Sequence, residues 1–241
     1  MWFPYLGAFV IGLSKAGFAT GLGMLTTPLV ASAMPARQAI GIVLPLLCLA
    51  DGLTIGFYWK KWDTAAVRYP LIGALVGIAA GMLFVTSVSN RMLALSIGVV
   101  GFVMAGLLVV RARWYPHAVY TPRVIDGLAV GIFSGFSSAI AHAAGPILAL
   151  FLLAQRMPKD AFVATNALFF TVNNLLKVPP YLVSGLITWE TLQLDLRLLP
   201  MIPVGVFAGW LTNRLLPQRY FDVLVYVVLL LTSLQLVISS L

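Results

Sequence analysis

Two lysines, Lys15 and Lys177, stand inside or against long apolar segments. An ammonium at membrane depth costs at least about 2.5–3.5 kcal/mol unless it is solvated or paired, so each calls for a ligand, a wet cavity or a carboxylate. Around Lys15 the chain reads Ser14-Lys15-Ala16-Gly17-Phe18-Ala19-Thr20-Gly21-Leu22-Gly23, followed by Thr26-Thr27-Pro28. Glycine lets backbone approach a ligand closely, and hydroxyls donate hydrogen bonds without adding negative charge, so this lining suits an anion. A second cluster holds Ser134-Gly135-Phe136-Ser137-Ser138, then His142 and Gly145-Pro146. Thr26-Thr27-Pro28 and Gly145-Pro146 each read as a helix start, a capping residue followed by proline. Helix N-termini aimed at the midplane would present free N–H groups and positive dipole ends to an anion. Any one of these glycines or prolines is better explained as a packing contact or a kink; two matched clusters favour a site.

The candidate substrate site therefore takes Lys15, Gly17, Thr20, Gly21, Gly23, Thr26 and Thr27 from the first cluster and Ser134, Ser137, Ser138 and His142 from the second. A third stretch adds Asn173, Asn174 and Lys177, with Asn173 and Lys177 at i and i+4 on one helical face. Lys15, with no acidic residue near it in sequence, is expected to contribute positive charge, whereas Lys177 beside Pro179-Pro180 has snorkelling to an interface as its alternative. Asp51 stands alone in its segment and is assigned to pairing with Lys15 or Lys177, its alternative being to accept a coupling proton. His142 is the first choice for proton coupling or for donating to the anion, because histidine alone titrates near neutral pH unperturbed; a structural histidine bonded to backbone is the equal alternative. Metal, nucleotide and cofactor sites lack their ligands. The histidines are His117 and His142, the cysteine is Cys48 alone, and there is no acidic cluster or Gly-rich loop after a strand. An enzyme is excluded on the same ground, since no acid/base constellation exists beyond His142 and Asp51.

The elements that must position these groups follow from composition. Of 241 residues, 61% are hydrophobic and 9% charged, and the mean hydropathy is +1.01. Such a chain is an integral membrane protein, and only helices or a closed barrel satisfy backbone polar groups in hydrocarbon. Runs 71–85, 93–110 and 223–238 are apolar on every face, which selects helices over alternating barrel strands. The formal charge of +8 comes from basic residues scattered between apolar runs, a topology signal and not a nucleic-acid surface. The start of the chain, 1–13, lacks a basic n-region and a cleavage site and is read as a retained helix.

Hydrophobic segments fall at 3–33, 38–58, 66–86, 92–110, 124–155, 161–184, 196–213 and 220–240. The first and fifth are longer than a bilayer core of about 30 Å requires and are broken at their middles. Gly17-Phe18 precedes Pro28 as Gly135-Phe136 precedes Pro146, Met34-Pro35 answers Met157-Pro158, and Gly77, Gly81, Arg91 recur as Gly205, Gly209, Arg219. Aligned on the Met-Pro pairs, Asp51 stands opposite Asn174. The predicted fold is an all-α polytopic membrane domain with a first repeat at 1–115, a basic linker at 116–123 and a second repeat at 124–241. Counting both broken segments as re-entrant hairpins puts Lys60, Lys61, Arg68, Arg111, Arg113, Arg123, Arg156, Lys159, Arg214 and Arg219 on one side, with Arg37, Arg91 and Arg197 on the other. Eight single spans would divide the same charges almost evenly, so the hairpin arrangement is favoured by the positive-inside rule. Each repeat then holds one hairpin and three spans, an odd number of crossings, and the repeats are inverted, as in many transporters.

The run Gly12-Leu13-Ser14-Lys15-Ala16-Gly17-Phe18 through Gly21-x-Gly23 to Pro28, the stretch from Gly131 to Pro146, and Asn173-Asn174-Leu175-Leu176-Lys177-Val178-Pro179 with Tyr181 and Gly185 resemble the TauE/SafE sulfite exporter family. The resemblance extends over nearly the whole chain. It implies duplicated halves and export of sulfite, thiosulfate, sulfonates or related small anions across the bacterial inner membrane, without cofactor. The chain departs from the pattern at Ser137-Ser138-Ala139-Ile140-Ala141-His142, which replaces a denser glycine run and breaks the symmetry of the two clusters. The expected partners are a small anion, the bilayer and coupled protons, with no nucleic acid. Alternatives are a permease for another carboxylate or inorganic anion, or a passive anion channel, which ohmic current in reconstituted vesicles would distinguish from saturating carrier flux.

The charge distribution predicts that both termini face the periplasm and that the linker around Pro116 is cytoplasmic. A cysteine introduced beside Pro116 should resist a membrane-impermeant maleimide added from the periplasmic side; labelling from that side would reverse the assignment.

Overall fold

The computed structural model describes residues 3–17, 23–31, 33–114, 122–153, 155, 157–215, 234 and 238. Among these residues the regular elements are helices: α1 (Phe3–Gly17), α2 (Gly23–Ala31), α3 (Ala36–Phe57), α4 (Thr64–Ser87), α5 (Asn90–Trp114), α6 (Val124–Ala141), α7 (Gly145–Leu153), α8 (Lys159–Val183), α9 (Trp189–Leu198) and α10 (Met201–Leu215). Local chemistry sets the starts. Pro35 and Pro158 occupy the N-cap positions of α3 and α8 with nearly the same extended backbone, where their missing N–H costs nothing and their rings stop the preceding helix. Asp63 caps α4 by accepting from Ala65 and Ala66 N–H, and Thr188 with Thr191 forms a reciprocal cap on α9. Among the described residues four helices, α3, α4, α6 and most of α8, are long and apolar enough to cross a membrane, and α9 with α10 make a fifth if the bent pair is one span.

Hydrogen bonds identify the two ends of the bundle. At one end Lys61 Nζ donates to Asp160 Oδ2 at 2.6 Å and the Asp63 N–H donates to Thr165 Oγ1 at 2.9 Å. At the other, the Arg37 guanidinium donates to the Val88 carbonyl and the Arg37 N–H to Asn90 Oδ1, while the Leu186 carbonyl packs directly on Gly41. Thus α3 and α8 cross the core in opposite directions.

Both broken segments fold back on themselves. Arg123 at the start of α6 and Phe151 and Gln155 at the far end of α7 line the same cavity, so 124–155 returns to the end from which it set out. In the first segment Gly7, early in α1, faces Val30, late in α2. The first hairpin opens toward the Arg37 end and the second toward the Lys61 end. Lys61, Arg68 and Arg123 therefore share one end, as both the hairpin and the eight-span arrangement expect.

Glycine seams lock each hairpin to a helix from the other part of the chain. Gly73 and Gly77 of α4 lie on the Leu128 and Ile132 carbonyls of α6, and Gly131 and Gly135 lie on the Pro70 and Ala74 carbonyls in return. Gly205 and Gly209 of α10 meet the Phe9 and Leu13 carbonyls of α1, and Gly12 meets the Ile202 carbonyl. In lipid no hydrophobic force drives helices together, and small residues earn close van der Waals contact instead.

Three expectations change. Pro28 sits inside α2, not at its first turn, so Thr26-Thr27-Pro28 is not a helix start; Gly145-Pro146 does open α7. Segment 196–213 is the latter part of two helices, α9 and α10, bent by 49° at Leu199 and Pro200. Segment 220–240, apart from 234 and 238, and most of the linker lie outside the described residues.

The seams predict that Gly205→Ala, whose Cβ would collide with α1 backbone, lowers stability by about 1–3 kcal/mol, the usual cost of overpacking. Gly56→Ala, which meets open space, should be neutral or mildly stabilising in the same detergent unfolding assay. Equal effects would show that the seam tolerates separation.

Candidate functional site

The polar residues of the apolar segments converge where α1, α3, α6 and α8 meet. Lys15 Nζ of α1 lies 2.7 Å from Asp51 Oδ1 of α3, and the ammonium also stands 3.9 Å from the centre of the Phe170 ring. The second carboxylate oxygen of Asp51 accepts from Asn174 Nδ2 of α8 at 2.6 Å. Asp51 is fully buried and the Lys15 side chain 11% exposed. The ion pair, the second hydrogen bond and the aromatic face each counter part of the desolvation of the two charges.

Lys177, one turn beyond Asn173 on α8, is fully buried and has a different set of partners. Its Nζ donates to Ser138 Oγ at 2.8 Å and to the Ser138 carbonyl at 3.2 Å, and stands 2.8 Å from His142 Nδ1. His142 Nε2 lies 3.0 Å from the Ile40 carbonyl. A carbonyl can only accept, so Nε2 carries the proton and Nδ1 accepts from Lys177. Three acceptors match the three N–H bonds of an ammonium, and all three are neutral. Among the described residues no carboxylate lies within ion-pair distance of Lys177. Asn173 Nδ2 adds a 2.8 Å bond to Ser138 Oγ, which joins Asn173, Lys177 and His142 around one hydroxyl.

His142 also ends α6. It caps the helix in the left-handed region, φ 51°, its N–H donating to the Ser138 carbonyl. That region is costly for a side chain with a Cβ and usually belongs to glycine at a helix end. The bonds from its ring to Ile40 and Lys177 hold the residue there. The departure from a glycine-rich second cluster thus places an imidazole where a glycine would leave Lys177 with one acceptor fewer.

Several candidate residues have other surroundings. Ser137 Oγ donates back to the Ser134 carbonyl within α6. Thr26 and Thr27 are buried in α2, and Gly17 and Gly23 flank the break of the first hairpin. Thr20 and Gly21 lie outside the described residues. The Thr27 and Ser134 hydroxyls are buried with no partner among the described residues, and so are Asn173 Oδ1 and Asn174 Oδ1. These groups are available to a polar ligand or to water.

Two tyrosines brace the site and were not predicted as members of it. Tyr58 OH donates to the Ala16 carbonyl beside Lys15 at 3.3 Å, and Tyr181 OH to the Ala139 carbonyl beside Ser138 at 2.7 Å. Tyr58 and Tyr181 are separated by the same interval as the two Met-Pro pairs, a signal that was present in the sequence.

A family model described as sulfite exporter TauE/SafE matches residues 5–236. No curated protein and no solved structure matches the chain.

The Lys15–Asp51 geometry predicts strong coupling. Lys15→Met or Asp51→Leu alone should each cost about 3–5 kcal/mol by stranding a buried charge, and the double variant less than either. Additive losses in a detergent unfolding assay would show that the pair does not stabilise the fold.

Proposed function

The chain belongs to the sulfite exporter TauE/SafE family, and from that membership and the buried lysines we propose that it exports a small sulfur oxyanion, such as sulfite, thiosulfate or an organosulfonate, across the bacterial inner membrane. The observation that carries this reading is Lys177: a fully buried side chain whose ammonium has only neutral acceptors. Such a charge favours an anionic companion, and the unpartnered Thr27 and Ser134 hydroxyls supply further donors without negative charge.

Lys15 plays a second, conditional part. While Asp51 is ionised it neutralises Lys15; a proton on Asp51 releases the ammonium to hold an anion. One proton and one anion then enter the site together, and net charge is conserved. Coupling therefore passes to Asp51. His142, whose Nδ1 accepts from Lys177, would lose that bond if it became imidazolium, and its role is to hold Lys177 in place.

The two hairpins that open toward opposite ends, and the antiparallel α3 and α8 between them, support an inverted repeat built for alternating access. The contacts favour a register in which Gly12 answers Gly135 and Lys15 answers Ser138, since Gly12 and Gly135 meet corresponding carbonyls of α10 and α4. In that register each half brings one lysine to the site, the first from its hairpin and the second from its central helix.

Binding of a fixed-charge sulfonate, measured by calorimetry on the purified protein, tests both roles. Lys177→Met should weaken binding at least about tenfold, since removing one positive charge from a site out of water forfeits at least about 1.4 kcal/mol of attraction for the anion. Binding to the parent should strengthen as pH falls, because protonation of Asp51 frees Lys15. Asp51→Asn should bind with a smaller pH dependence than the parent, and His142→Gln should retain the dependence of the parent. Undiminished binding by folded Lys177→Met would refute the anion site, and loss of pH dependence in His142→Gln alone would return coupling to the histidine.

A further inference from the structure

At the Lys61 end, away from the buried lysines, a cavity of about 270 Å3 opens where α4, α6 and the end of α7 meet. Arg68 and Arg123 both line it, with Gln155, Tyr69 and the backbone of Gly127. Neither guanidinium meets a carboxylate among the described residues. Arg68 lies over the Tyr69 ring, 4.5 Å from its centroid, and the Arg123 backbone N–H, not its side chain, donates to Asp126. Asp63 also lines the cavity and keeps its charge, with its Oδ1 accepting from the Ala65 and Ala66 N–H groups at the start of α4. The nearby Lys61 and Asp160 neutralise each other. Two arginines against one helix-capping carboxylate thus leave the lining of this concave space with an excess of positive charge, which suits a phosphate.

The surroundings indicate which phosphate. The outer surface of α4 and α6 running from the cavity toward the middle of the bundle is apolar and exposed: Ile72, Leu75 and Val76 on α4, Ile125, Ile132 and Phe133 on α6. Ile125 and Phe133 are 70% and 65% exposed. In a bilayer such an exposed apolar strip would face acyl chains, with the cavity at the bundle end that carries Lys61, Arg68 and Arg123. The volume falls just below the range of about 300–1,000 Å3 typical of pockets that enclose a whole small molecule. It accommodates a headgroup whose chains remain outside. Basic pockets between helices on the cytoplasmic side are a recurrent form of anionic lipid recognition.

We propose that the cavity between Arg68 and Arg123 binds the phosphate of an anionic phospholipid, with its acyl chains along the exposed α4–α6 strip. The bound lipid would tie the base of the second hairpin to α4, since α4, α6 and the end of α7 all contribute lining residues. The inference does not depend on which anion the protein exports.

Native mass spectrometry and a lipid titration followed by thermal unfolding, both on the full-length protein in detergent, test it with phosphatidylglycerol, phosphatidylcholine and glycerol 3-phosphate as probes. Phosphatidylglycerol should be retained and raise Tm, with phosphatidylcholine and glycerol 3-phosphate much weaker. Arg68→Gln and Arg123→Gln should each lose about fivefold in phosphatidylglycerol affinity, and the double variant about thirtyfold, given roughly 1 kcal/mol per basic residue at an anionic surface. Lys60→Gln, at the same end but outside the cavity, serves as the control and should change little. Unaltered affinity in the folded single variants would overturn the proposal. So would an equal loss in Lys60→Gln, which would indicate a diffuse surface field, or glycerol 3-phosphate binding as tightly as the lipid, which would indicate a soluble ligand. Should the double variant fail to fold, the single variants decide the matter.

Discussion

The constraint on which this structure depends is the electrostatics of a lysine in an apolar interior. Lys15 arrives on a hairpin and Asp51 on a central helix, and the carboxylate reaches further to Asn174 on the other central helix. Lys177 binds the second hairpin through Ser138 and His142, and His142 reaches back to the Ile40 carbonyl of α3. Satisfying two cations in a low-dielectric core therefore joins both hairpins to both central helices. A lesser network would leave a charge uncompensated, at a cost of several kcal/mol in a protein whose whole stability is of that order.

Outside this polar centre the packing has a different basis. Glycines on α4 and α6 and on α1 and α10 bring backbones into direct contact, so each hairpin is held by a helix distant in sequence. Division at the 116–123 linker is a division of sequence. In space α4 embraces the second hairpin and α10 the first. The polar network and the glycine seams thus act on different faces of the same hairpins. The seams set the distances at which the charged groups meet, and the charged groups decide which face of each hairpin turns inward.

The two lysines differ in their partners. Lys15 has a carboxylate counter-ion, whereas among the described residues Lys177 is held by neutral groups only. The left-handed His142 belongs to the Lys177 half, since its ring fixes Lys177 and its backbone ends α6.

The membrane-helical class, the two broken segments and the identities of Lys15, Asp51, Ser138, His142, Asn173, Asn174 and Lys177 were legible in the sequence. A polar residue in an apolar run is conspicuous because hydrocarbon makes it expensive. The distribution of basic residues likewise favoured hairpins, and the ends of 124–155 meet at one cavity. The partners of these groups were not legible. Asp51 could pair with either lysine, and only the crossing of α1 over α3 brings it to Lys15, cancelling the charge that Lys15 carries in the sequence. His142 looked like a proton donor by its ordinary titration, but the Ile40 carbonyl fixes its tautomer and turns the other nitrogen into an acceptor. Pro28 looked like a helix start, yet α2 begins at Gly23 because the position of the hairpin's break depends on its packing. Sequence by itself determined which residues must find partners, since that depends on their transfer free energy alone; tertiary structure decided which partners they find, since electrostatic and hydrogen-bond energies depend on distances between elements far apart in the chain.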